Sequence, residues 1–354
     1  MKSIEQQKIP VLLVLIAFAT VYIVWGSTYF FIQMAIHGFP PMLMGAFRYT
    51  TAGLLMLGWC ALKGDKIFVK KDIINSGVSG LLMLTLATGI VIWVEQVLPS
   101  AMVAIMVSSG PIWFVVLDKG NWNVNLKSKA TIIGLIIGFA GVILLFGEQV
   151  SKTLHETYSP AKFWGVVLLV FGPALWSAGS LYSKHHASSG PARLNTAWQM
   201  IIAGIAFLPA GIIHNEFKGF DITKVPAQSW AAIIYLILFG SIAAFTAYVW
   251  LLQVRPATQV STHAYVNPVI AVLLGVLFAR EHISGLQIGG LVIILLSVLL
   301  INLAKYRKDS KNDSGKADGE NPVKPARPFL KFDKRSRLKL RQNENAYMLI
   351  SLIK

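Results

Sequence analysis

The chain has 354 residues, 55% of them hydrophobic and only 14% charged. Soluble domains carry about a quarter charged residues, so this composition excludes an ordinary soluble protein and indicates an integral membrane one. The net charge of +16 does not signal nucleic acid: Lys and Arg are sparse in the apolar blocks and collect in short loops and in the tail from Lys305 onward, where they read as topology signals and anionic-lipid contacts.

Ten apolar blocks of about the length that crosses a ~30 Å hydrocarbon core follow one another. They cover approximately residues 10–34, 41–62, 73–96, 99–117, 129–147, 161–183, 194–213, 229–252, 256–279 and 284–304. In span 1, Ala17-Phe18-Ala19 mimics a signal-peptidase site, but the apolar run continues to Ile36, and an uncleaved span is expected. Trp25, Tyr29 and Gln33 share one face of it by their spacing. Span 2 carries Arg48 and the single cysteine, Cys60, which has no intramolecular partner and reads as packing. An arginine at a helix centre costs roughly 2.5–3.5 kcal/mol on insertion scales and needs a partner or water. Arg48 is therefore either a clamp on nearby carbonyls or an anchor for a carboxylate.

Span 3 ends in Trp93, Glu95 and Gln96, and Glu95 is either solvated at the interface or handles a proton. Span 4 contains Pro111, and span 5 has Gly134, Gly138 and Gly141, a close-packing surface. Span 6 places Trp176 and Ser180 on one face behind Pro173, span 7 contains Pro209, and span 8 ends in Trp250 and Gln253. In span 9, Gln259, His263 and Asn267 are spaced by four and precede Pro268. Polar side chains in a membrane helix normally face the bundle interior. His263 either packs there or touches substrate and handles protons, as an imidazole can near neutral pH. After Lys305, the stretch from Lys311 to Glu320 has almost nothing to bury and should be disordered. The basic residues from Lys331 to Arg341 either rest on an anionic leaflet or are simply solvated.

Trp93, Gln96, Val97 and Pro99 recur in register as Trp250, Gln253, Val254 and Pro256, and Pro111 recurs as Pro268. The chain is an internal duplication with five spans per half. An odd number reverses the second copy in the bilayer, so an inverted repeat is expected, with a site near the midplane bordered by the matched prolines. Each proline lacks a donor and frees the carbonyl four residues earlier, at Val107 and Ala264, which must be satisfied or line a cavity. Loop charges favour cytoplasmic termini: Lys63, Lys66, Lys70, Lys71, Lys119, Lys127, Lys184, Arg193 and Arg255 fall in inner loops.

Trp25-Gly26-Ser27-Thr28-Tyr29 followed by Arg48 resembles the opening of an EamA domain. Asn267-Pro268-Val269-Ile270-Ala271, then Gly275, Glu281, Gln287, Ile288 and Gly289, resembles its closing signature. The resemblance covers about residues 10–304 and implies the drug/metabolite transporter superfamily: an all-α membrane fold of ten helices and a cavity lined mainly by spans 1, 3, 4, 6, 8 and 9. Asp118-Lys119-Gly120-Asn121 stands where the first half should carry a turn glutamate, so that acid is not doubled. The expected organisation is a cytoplasmic N-terminus (1–9), two EamA-like repeats (10–147 and 161–304) around an external linker (148–160), and a cytoplasmic tail (305–354).

The spans contain no His-Glu-x-x-His, no Gly-x-Ser-x-Gly, no paired carboxylates and no phosphate-cradling loop, so neither an enzyme nor a cofactor or metal is expected. The remaining reading is an inner-membrane carrier that moves a small amphipathic, amino-acid-like metabolite outward. A multidrug efflux carrier is the alternative, and a structural or receptor-like protein a third. The related small multidrug pumps use a glutamate in their first helix, whereas Val11 to Ile36 contains no acid.

Overall fold

In a computed structural model the described residues are 10–94, 96–98, 100–154, 159–186, 191–279 and 284–317, and among them every regular element is helical. Apart from the short helical segments Lys119–Asn121, Trp122–Asn125 and Ile222–Lys224, the helices are α1 (Val11–Ile36), α2 (Pro41–Leu62) and α3 (Lys70–Val94), then α4 (Ser100–Val107), α5 (Gly110–Leu117) and α6 (Lys129–Leu154). They continue as α7 (Pro160–His185), α8 (Ala192–Ile213) and α9 (Ala227–Val254), and end with α10 (Ala257–Val260), α11 (His263–Ala279) and α12 (Gly285–Ala317).

Proline sets many of the starts. Pro10, Pro40, Pro191, Pro226 and Pro256 stand immediately before helices, and Pro41 and Pro160 open them. A first-turn residue has no carbonyl to donate to, so the missing N–H costs nothing there. Among the described residues, six helices are long and apolar enough to cross a membrane: α1, α3, Lys129–Gly147 of α6, α7, α8 and α9. Leu54, Leu55, Ile136, Leu295 and Leu296 are exposed on the outside of the bundle. Helices apolar on every face need hydrocarbon around them.

Two crossings hold the bundle together, and both are reciprocal. A Cβ on Gly53 of α2 would lie 2.8 Å from the Ile201 amide nitrogen, and one on Gly204 of α8 would lie 2.6 Å from that of Thr50. On α6 and α12, a Cβ at Gly141 would meet the Ile294 nitrogen at 3.1 Å, and one at Gly290 the Leu145 nitrogen at 2.7 Å. The expected packing role of span 5 extends to Gly134 and Gly138, which face Ile301 and Ser297, whereas Gly285 meets nothing within 4 Å.

The long helices of the two halves are interrupted in comparable places. Leu81–Ala87 in α3 and Leu236–Phe245 in α9 are π-helical, a geometry frequent at functional sites. Span 4 is broken at Ser108–Ser109 between α4 and α5, and span 9 at Ser261–Thr262 between α10 and α11. The carbonyl freed by Pro268 is satisfied across the bundle: Ser108 Oγ donates to Ala264 O at 2.9 Å. Pro173 and Pro209 sit inside α7 and α8 without ending them.

α12 runs past span 10 to Ala317, so the polar stretch that begins at Lys311, expected to be disordered, starts as helix. Extending a helix that the apolar span has already nucleated adds one hydrogen bond per residue and avoids the cost of a new nucleus. Glu281 and the basic residues from Lys331 to Arg341 lie outside the described residues.

Candidate functional site

A cavity of about 160 Å³ lies between α1, α2, α3, α5, α7, α9 and α11, with Val107 of α4 and Ser261 of the span-9 break at its edge. Trp25, Tyr29, Tyr49, Phe114, Trp176, Phe245 and His263 contribute rings to its wall. Trp25 and Trp176 meet edge-to-face with ring centroids 5.5 Å apart. Tyr248 lies 4.9 Å from Trp25, and His263 lies 5.1 Å from Trp25 and 5.2 Å from Tyr248. Such rings offer a solute wide, stiff apolar faces.

The indole N–H groups are used within the protein. Trp25 Nε1 donates to Gly240 O at 3.1 Å, in the π-helical part of α9. Trp176 Nε1 donates to Tyr248 Oη at 2.9 Å. Ser180 Oγ donates to Trp176 O at 2.7 Å and lies 2.6 Å from Tyr248 Oη. With the serine proton on the carbonyl, the phenol must donate to Ser180, which closes a ring of three hydrogen bonds. The two tryptophans thus present ring surface to the cavity, while the hydrogen bonds fix their orientation.

Arg48 supplies the charge. It is 6% exposed, its Nε donates to Ser241 Oγ at 2.8 Å, and its guanidinium carbon lies 4.9 Å from the centre of the Tyr49 ring. No carboxylate among the described residues pairs with it. One edge of the guanidinium is therefore held in place, and the remaining N–H groups belong to a residue in the cavity wall. A carbonyl clamp, the other sequence reading, has no such bond among the described residues.

His263 and Asn267 come from α11. His263 Nδ1 lies 3.0 Å from Val260 O. A carbonyl can only accept, so Nδ1 carries the proton and Nε2 of the neutral ring is an acceptor. Asn267 is 7% exposed and its Oδ1 has no hydrogen-bond partner among the described residues.

Trp25, Tyr29, Arg48, Trp176, His263 and Asn267 thus share one cavity. The other sequence candidates lie outside its lining. Pro111 stands beside the span-4 break, Pro268 lies inside α11, Ser180 is in the hydrogen-bonded ring behind the wall, and Trp250 is in the core. Gln259 is 2% exposed and lies before the break, so the stripe of three does not continue as one helical face. Trp93 and Gln253 are half-buried, Gln96 is exposed, and Glu95 lies outside the described residues. Thr28, Gly240, Ser241 and Phe245 also line the cavity. Ser241 was detectable as a polar residue in an apolar block, whereas Gly240 and Phe245 carry no sequence signal that separates them from packing residues.

At the end of the bundle where α7 gives way to α8, polar contacts tie the helices together. Arg193 Nε pairs with Asp65 Oδ2 at 3.0 Å. Lys184 Nζ donates to the carbonyls of Leu252 and Arg255 at the end of α9.

Residues 11–147 and 163–303 each match the EamA-like transporter family. The chain is 34% identical over 294 residues to the inner membrane transporter YedA of Escherichia coli strain K12, covering 82% of this chain and 90% of that protein. It is 25% identical over 307 residues to the transporter YvbV of Bacillus subtilis strain 168, covering 85% and 94%. It is 24% identical over 301 residues to protein PecM of Dickeya dadantii strain 3937, covering 81% and 93%. A solved crystal structure shares the fold with a TM-score of 0.68 at 17% identity, over 83% of this chain and 98% of that one. Two matched segments that together span most of the chain, and a relative above 30% identity, give one conclusion: the chain belongs to the EamA-like transporter family.

Proposed function

We propose that the protein is an alternating-access carrier that moves a small, amino-acid-like metabolite outward across the cytoplasmic membrane. The observation that carries the cargo reading is Arg48, a buried cation in the cavity wall with a single serine partner and no carboxylate of its own among the described residues. A solute carboxylate supplies the missing anion, and the Trp25, Trp176 and Phe245 rings take an apolar side chain. The Asn267 side-chain amide offers a hydrogen-bonding group to the polar end.

The carrier mechanism rests on ten spans arranged as two inverted repeats, 10–147 and 161–304, joined by the external linker 148–160. The reciprocal contacts of Gly53 with Gly204's helix, and of Gly141 with Gly290's, support this arrangement, as do the paired π-helical stretches and the two family matches. On this reading both termini, 1–9 and 305–354, are cytoplasmic.

The test is efflux from proteoliposomes loaded with labelled aromatic and aliphatic amino acids or with a cationic dye, for the native chain and Arg48→Gln. Amino-acid efflux that falls at least about tenfold in a folded Arg48→Gln protein is expected, the scale of one hydrogen-bonded charge pair. Dye efflux without amino-acid movement would reverse the choice in favour of a multidrug carrier.

A further inference from the structure

Arg48 has a counterpart that the cavity does not use. It stands seven residues after the first residue of α2, and Gln199 stands seven after the first residue of α8. The reciprocal contacts of Gly53 and Gly204 relate the two helices, which places Arg48 and Gln199 in equivalent positions on opposite sides of one crossing. Their neighbours correspond as well. Arg48 lies against Ser241 of α9, and Thr28 of α1 packs on the adjoining Gly240. Gln199 Nε2 donates to Ser79 Oγ of α3 at 2.8 Å and to Ser183 Oγ of α7 at 3.1 Å.

The Gln199 side is closed, and its polar groups are not all used. Gln199 is 1% exposed and its Oε1 has no partner among the described residues; the same holds one turn earlier for Asn195 Oδ1, in a residue 5% exposed. The Ser79 hydroxyl gives its one proton to the Asn75 and Ser76 carbonyls at 3.2 and 3.1 Å, so towards Gln199 it accepts, which sets the amide nitrogen against it and leaves Oε1 as the unpaired atom. A buried polar atom without a partner is costly and requires a reason. Two such acceptors, four residues apart and backed by the Ser79 and Ser183 hydroxyls, form a site short of donors.

We infer that Gln199, with Asn195, Ser79 and Ser183, forms a second cargo site that receives the ammonium end of the solute when the Arg48 cavity closes. This rests on the carrier reading above. In an inverted repeat the two halves exchange conformations during the cycle, so the surroundings of Gln199 open as those of Arg48 shut. The two sites differ in sign: Arg48 grips a carboxylate, and the Gln199 cluster takes N–H donors. A zwitterion is held on both sides, whereas a plain carboxylate is held on one.

The experiment compares phenylalanine with 3-phenylpropionate, which keeps the ring and carboxylate and lacks the amine. Fluxes are measured in proteoliposomes for the native chain, Gln199→Leu and Arg48→Gln, with thermal unfolding as the folding control. The native chain should favour phenylalanine by about tenfold, the scale of one hydrogen bond to a charged group. Gln199→Leu should remain folded and lose that preference, and Arg48→Gln should reduce both fluxes. A folded Gln199→Leu protein that retains the preference overturns the inference and leaves the carrier reading intact.

If the native chain moves neither solute, the cargo reading fails, and Ser79→Cys in a Cys60→Ser background decides the site. Ser79 is fully buried, so reaction of the introduced thiol with a small charged reagent is expected only if the cluster opens. A thiol that stays inert there, under conditions in which Ser241→Cys reacts, overturns the inference.

Discussion

The crossing of α2 and α8 gives an experiment in which one substitution should act with opposite signs at two positions on the same helix. In a helix interior, Gly→Ala stabilises by up to ~1 kcal/mol through backbone entropy. Gly58 of α2 has nothing within 4 Å of an added Cβ, so Gly58→Ala should show that gain alone. At Gly53 the added carbon would lie 2.6 Å from Ile201 Cγ1, 2.8 Å from the Ile201 nitrogen and 2.9 Å from Ala197 O. The side-chain atom can move, but the two backbone atoms cannot move without the helix. Relief needs a separation of about 0.6 Å, enough to forfeit a quarter to a half of each dispersion contact along the interface.

Overpacking of this kind costs about 1–3 kcal/mol, and rigid backbone on the far side puts Gly53→Ala at the upper end. Subtracting the propensity gain leaves a net loss of about 2 kcal/mol. For a chain of this size, whose unfolding entropy is about 0.7 kcal/mol/K, that corresponds to a fall in Tm of about 3 °C. Cys60 supplies the assay: it is the only cysteine and is fully buried, so a thiol-reactive fluorophore in detergent reports unfolding as the temperature rises. Gly204→Ala should cost about the same, because its carbon would meet the Thr50 nitrogen at 2.6 Å. The double variant should cost less than the sum, since one separation relieves both clashes. If Gly53→Ala raises the Tm as Gly58→Ala does, the two helices are not in backbone contact and the reasoning fails.

Replacing His263 with Ala should reduce flux more than replacing its repeat counterpart Met106 with Ala at equal membrane abundance, because only His263 of the two lines the cavity. If it also handles protons, the flux–pH profile between about 5 and 8 should flatten; native flux and profile in the variant would assign it to packing. A cysteine at Thr153 in a Cys60→Ser background should react with an impermeant maleimide on intact cells while one at Lys66 does not. The reverse pattern in a folded protein would overturn the proposed orientation.

The sequence was most informative where a covalent constraint determines structure. Pro111 and Pro268 lack a donor whatever surrounds them, so interrupted helices could be expected beside them, and spans 4 and 9 are both broken a few residues earlier. That Ser108 would satisfy the freed Ala264 carbonyl could not be anticipated, because it depends on how two broken helices meet. Helical spacing holds only within an unbroken helix. Trp25 and Tyr29, one turn apart in α1, both line the cavity, whereas Gln259 and His263 are separated by the break at Ser261–Thr262. The π-helical stretches carry no motif, so the positions of Gly240 and Ser241 beside Trp25 and Arg48 were not legible.

The duplication itself carries two kinds of information. The strongest identities, Trp93 with Trp250 and Gln96 with Gln253, lie outside the cavity lining, near the ends of α3 and α9. Repeated residues there suit repeated structural tasks, since both halves must end and turn the same helix. The cavity's polar groups fall where the halves differ: Arg48 against Gln199, Ser241 against Leu84, His263 against Met106, Asn267 against Gly110. A carrier built from two copies of one scaffold can bind an unsymmetrical solute only if the copies have diverged at the contacts. Positions where the repeat fails, inside spans where it otherwise holds, are therefore the place to look for specificity in this chain.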